Sequence, residues 1–134
     1  MADKIIKLAN VRTGEMRQHE LQRAVDEAWQ ALLAEPRTRA EVAAQLGVPV
    51  ERLGDGREAP VRFETLQSNM SGGELALIVA AWAAKDILLG VVSDEIKGRL
   101  RGLIEGRLLP MVRRRPGGKG AVGPLVITDE GDRD

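Results

Sequence analysis

Hydrophobic positions along most of the chain recur every three or four residues, with three short stretches where they alternate or cluster instead. Leu21, Val25, Ala28, Trp29, Leu32 and Leu33 form one apolar stripe at helical spacing. This predicts a helix capped by Thr13, starting near Glu15 and ending at Glu35-Pro36, because a residue before proline avoids the helical region. Thr38-Arg39-Ala40-Glu41 has capping-box spacing, in which hydroxyl and carboxylate each satisfy a free backbone donor. A short second helix is expected there, with Val42, Ala43 and Leu46 inward and Gly47 at its close, followed by one further turn over 49–53. The part β-branched run Lys4 to Val11 predicts a strand over 4–11. Val61 and Phe63 alternate with Arg62 and Glu64, which predicts a half-buried strand over 60–66. Leu125 to Thr128 adds a third short strand, over 124–128.

The second half carries a different pattern. Ser71-Gly72-Gly73-Glu74 is again capping-box-like and predicts a helix over 72–89. Ser93 caps another over 94–112, with a kink or early stop at Pro110. Gly98, Gly102 and Gly106 lie on one helical face, and each costs about 1 kcal/mol against alanine. Ala76, Ala80 and Ala84 have the same spacing, and the two sets are symmetric about residue 91. An antiparallel helical hairpin follows, with these six small residues at its seam. Leu75, Ile78, Val79, Trp82 and Leu89 would face away from the seam, as a candidate apolar interface. The expected fold is mainly α with minor β. A single helical domain would occupy 1–115, and 116–134 would hold a flexible Gly/Pro connector, a short strand and a disordered acidic tail.

Length and composition agree with one domain: 134 residues, 43 % hydrophobic and 30 % charged. There is no Cys, no Tyr and a single His. Disulfides, thiolate metal sites and cysteine nucleophiles are excluded, and a histidine-built zinc site nearly so. His19 is the only histidine available to a triad with Ser68, Ser71 or Ser93, and no G-x-S-x-G is present. Gly117-Gly118-Lys119-Gly120 lacks the spacing and hydroxyl of a phosphate loop. The acidic end lacks the ligand pattern of a calcium loop. These absences predict a non-enzyme with no cofactor, no metal and no small-molecule site.

The longest apolar stretch, 75–92, is interrupted by Lys85 and Asp86. Each such charge costs about 2.5–3.5 kcal/mol near a membrane-helix centre, against roughly 0.3–0.6 kcal/mol returned by each Leu, Ile or Val. A self-inserting helix is therefore not expected. The first ten residues lack the apolar run of a secretory signal, so a cytoplasmic location is expected. Arg outnumbers Lys fifteen to five, a bias of the kind seen in bacterial coding sequences.

Twenty basic residues balance twenty acidic ones, but they are segregated. Residues 97–119 carry a net +7, against −4 for 1–96 and −3 for 120–134. Lys97, Arg99, Arg101, Arg107, Arg113, Arg114 and Arg115 thus form a candidate surface for an acidic protein, anionic lipid or, with less support, nucleic acid.

Two segments resemble known families. Arg39 to Leu53, with Val42, Ala43, Leu46, Gly47 and Val48, resembles half of a bacterial helix-turn-helix, which implies DNA binding. Gly54-Asp55-Gly56 falls where its reading helix should run. The runs AWQALLAEP, LGVPV and PVRFE between Ala28 and Glu64 are similar to the leader region of nitrile-hydratase-like peptide precursors. That implies a substrate of a peptide-modifying system, although the chain lacks the cysteine-, serine- or threonine-rich core such leaders precede.

The leading expectation is a non-enzymatic interaction module. It would be an adaptor, accessory or regulatory subunit of a bacterial complex, with a protein partner or self-association. A membrane-surface protein using the glycine-ridged hairpin and basic stretch is the rival.

Overall fold

The computed structural model describes residues 4–12, 16–53, 58–68, 72–86 and 93–132. The fold is mainly helical, with a minor sheet of four antiparallel strands. Strand β1 (Lys4–Asn10) precedes helices α1 (Gln18–Ala34) and α2 (Pro36–Leu46) and a 3-10 turn, Val50–Leu53. Strands β2 (Val61–Ser68) and β3 (Gly72–Val79) follow, then helices α3 (Ala81–Asp86) and α4 (Asp94–Leu103). A π turn (Ile104–Leu108) joins α4 to α5 (Leu109–Arg113), and β4 (Thr128–Asp132) closes the described chain. The strand order is β2-β3-β1-β4.

The largest departure from the sequence pattern is at 72–79, which is a strand and not the first arm of a helical hairpin. Here Leu75, Leu77 and Val79 share one face with Val61 and Phe63, while Ala76 and Ile78 lie opposite. Residues on both faces are buried, so the segment reads as a continuous apolar run that helical periodicity fits by accident. Pairing with β2 decides the matter, in an unbroken register from Val61↔Val79 to Ser68↔Gly72. Only Ala81–Asp86 of the expected helix is helical, and 87–89 lies outside the described residues.

The helix boundaries shift for local reasons. Helix α1 starts at Gln18, where the Arg17 backbone N–H donates to the Glu20 carboxylate at 3.4 Å. The expected cap, Thr13, lies outside the described residues. Helix α2 starts at Pro36, so Thr38 sits inside its first turn and is not its cap. Proline suits a first helical position, since its fixed φ is helical and its missing N–H would have no partner there. Gly47 ends α2 as expected, at φ 72°, with its N–H on the Ala43 and Ala44 carbonyls. Pro110 does not stop the last helix. The chain widens into a π turn, with Leu109 N–H on the Ile104 carbonyl, and runs on to Arg113.

One apolar cluster lies between the sheet and the helices. Ile6, Leu8, Phe63 and Leu77 face it from the strands, and Trp29, Leu103, Leu108 and Val112 from the helices. The Gly/Pro segment after Arg115 joins this core, contrary to the expected flexible connector. Ala121, Val122, Leu125 and Ile127 are buried. The Gly123 and Val126 N–H groups donate to the Asn10 and Leu8 carbonyls, both at 2.9 Å. Gly118 permits this path, because a Cβ there would stand 1.9 Å from the Val112 carbonyl oxygen. The expected strand at 124–128 instead begins at Thr128, and the acidic end pairs with β1 as far as Lys4↔Asp132. The free side of β1 supplies backbone partners that the tail's charge does not forbid at an edge.

Candidate interaction groove

Strand β2 is an outer strand, so every second peptide unit points away from the sheet. Helix α1 reaches those units with side chains. The Gln22 Oε1 accepts from the Phe63 N–H at 2.8 Å, and its Nε2 donates to the Val61 carbonyl at 3.4 Å and to Asp26 at 3.0 Å. Gln18 Nε2 donates to the Phe63 carbonyl at 2.7 Å. The amide orientation of Gln22 follows from chemistry, since an N–H can only donate and a carbonyl only accept. Two glutamines spaced one helical turn apart thus occupy positions a neighbouring strand would take.

An open groove of about 730 Å³ runs along this edge. Gln18, His19, Gln22, Arg23, Asp26, Glu27 and Gln30 line it from α1, and Arg62 and Phe63 from β2. Several of its charges are engaged. Arg62 pairs with Glu58 at 2.7 Å, Glu27 pairs with Arg115, and Asp26 holds Gln22. His19 and Arg23 are exposed and have no partner among the described residues.

The candidate residues read from the sequence are dispersed. Ala76 lies in β3 opposite Glu64 and Asn10, Ala80 is buried just before α3 and Ala84 within it, so the alanine–glycine seam does not form. Helix α4 packs on α2 instead. A Cβ on Gly102 would meet Gln45 Nε2 at 2.9 Å, whereas one on Gly98 or Gly106 would meet nothing within 4 Å. Leu75, Ile78 and Val79 are buried and offer no apolar interface. Trp82 is half-buried against Trp29, with ring centroids 6.5 Å apart, and Leu89 lies outside the described residues.

The basic stretch is largely matched by carboxylates. Arg99 pairs with Glu95 at 2.5 Å, Arg107 with Glu41 at 3.3 Å, Arg113 with Glu105 at 3.3 Å and Arg115 with Glu27. Arg101 reaches the Leu125 carbonyl at 3.5 Å, and Arg114 the Met111 sulfur at 3.8 Å. Lys97 is half-buried. Ser93 caps α4 by accepting from the Ile96 N–H at 3.2 Å, while Ser71 lies outside the described residues. Among the described residues no three His, Cys, Asp or Glu side chains gather as metal ligands, and no helix is long and apolar enough to cross a membrane.

No known protein family matches the chain, and no curated protein or solved structure is significantly similar to it. Gln18, Gln22 and Arg23 were not apparent from the sequence as site residues. The one available signal was a pair of glutamines at i and i+4 on the polar side of an amphipathic helix.

Proposed function

We propose that the chain is a non-enzymatic protein–protein interaction module, an adaptor, accessory or regulatory subunit of a larger complex. The groove between α1 and the outer edge of β2 carries this reading. It combines backbone groups held by exchangeable side-chain amides with an unpaired His19 and Arg23, a set suited to reading a polypeptide. The membrane-surface reading draws less support, because four of its arginines already face carboxylates. DNA reading also gains little, since a single 3-10 turn, Val50–Leu53, stands where a reading helix would lie along the major groove.

The test is native isolation of the tagged protein from its host after nuclease treatment, beside an Arg23→Glu form of equal stability. A stoichiometric protein that stays bound at moderate salt, and is lost with Arg23→Glu, is the expected result. Lipid alone, or no bound protein, would overturn the reading.

A further inference from the structure

We infer that the outward face of α1 is a self-complementary interface, and that the groove beside it receives α1 of a second copy in antiparallel orientation. The inference rests on the interaction-module reading and names the groove's occupant. The charges of the groove balance, with Arg23 and Arg62 against Asp26 and Glu27. Arg62 is engaged by Glu58 and Glu27 by Arg115, which leaves Arg23 and Asp26 without an ionic partner among the described residues. Residues three apart on a helix are near enough to pair with each other. Here they do not, because Asp26 turns back to the neutral amide of Gln22. One cation and one carboxylate on the same exposed face match a copy of themselves turned end for end.

His19, Arg23, Asp26 and Gln30 follow at spacings of four, three and four residues, so they lie along one line of α1. The opposite side of the helix, with Leu21, Val25 and Ala28, is in the core. The outward line is symmetric about the midpoint between Ala24 and Val25. Two copies of α1 related by a two-fold axis there bring Arg23 of each onto Asp26 of the other, and His19 alongside Gln30. A parallel arrangement stacks Arg23 on Arg23 and Asp26 on Asp26, so charge fixes the direction. Gln18 and Gln22 tie α1 to the Phe63 and Val61 peptide groups, so the face is rigid before it associates and loses little freedom. The line carries no large apolar side chain. The contact therefore belongs to the small, weak class that buries less than about 1,200 Å².

Sedimentation velocity of the full chain in low salt, from about 10 μM to about 1 mM, tests this. The wild type is expected to move from 14.6 kDa towards twice that mass as concentration rises, and added salt reverses the shift. Arg23→Asp sets a carboxylate against Asp26 of the other copy, and Asp26→Arg sets a cation against Arg23. Each variant alone is expected to dimerise at least about tenfold more weakly. An equimolar mixture of the two regains the dimer, since each carries the charges that the other's line requires. A chain with both changes regains it alone. Charges that act only within their own helix would give no rescue by mixing.

A wild type still monomeric at about 1 mM would overturn the inference. So would a dimer indifferent to both single variants, or a mixture no more associated than its components. Monomers in every sample, beside a different stoichiometric protein retained in native isolation, would refute the dimer while leaving the module reading intact.

Discussion

The Phe63 N–H finds its acceptor in a side chain, and the weight of that arrangement is measurable. Gln22→Ala removes one acceptor and one donor at a partly solvated edge, so a loss of about 1 kcal/mol is expected in urea denaturation. The glycines of the last helices divide by surroundings. Gly98→Ala and Gly106→Ala add a methyl to open space and should each raise stability by roughly 0.5–1 kcal/mol. Gly118→Ala should do the reverse, by about 1–3 kcal/mol, because the Val112 carbonyl leaves no room and is backbone. The same assay checks all four substitutions. A destabilised Gly98→Ala would mean that this face is packed against something in solution.

At the scale of elements, the two sides of β2 differ in what they tolerate. Glu64 faces β3 and Thr65 faces outward, so Glu64→Pro should cost about 3 kcal/mol or more and Thr65→Pro far less. Thermal unfolding of the pair tests the register directly. This strand was legible in the sequence because Val61 and Phe63 face the core while Arg62 and Glu64 do not. Its partner was not: Ala76, Ala80 and Ala84 satisfy a helical repeat as well as Leu75, Leu77 and Val79 satisfy a strand. Only the long-range pairing with β2 separates the two. The start of α1 moved for want of any strong signal before Gln18, whereas Gly47 was correctly placed because a left-handed residue leaves a local signature. The groove was illegible for a stronger reason. Whether a strand lies at an edge is a property of the whole sheet, so nothing in Gln18 or Gln22 alone announces that they cover one.

At the scale of the molecule, charge segregated along the sequence is partly recombined by folding. Helices α1 and α2 bring Glu27 and Glu41 to Arg115 and Arg107, and Glu95 and Glu105 serve Arg99 and Arg113. All are partly exposed, so each pair contributes about 0–1 kcal/mol and the four together are no stability argument. Their effect is on the outward field, which is weaker than the +7 of residues 97–119 implies. Sedimentation with phosphatidylserine vesicles should therefore show no binding at physiological salt, near 0.15 M, where the Debye length is about 8 Å. Binding that falls steeply with added salt would restore the lipid-surface reading.

Strand β1 lies between β3 and β4, and its partners are far away in sequence: Lys7 meets Ile78 and Lys4 meets Asp132. The first pairing closes a loop of roughly half the chain and the second one nearly as long as the chain, which places folding nearer the millisecond-to-second range of non-local topologies than the microseconds of helical bundles. A ribosome-bound chain halted before Thr128–Asp132 leaves the exit tunnel holds Ile6 and Leu8 on a strand with one side still unmatched. Such an intermediate invites chaperones and aggregation alike, so the solubility of this protein during synthesis depends on the last strand to arrive.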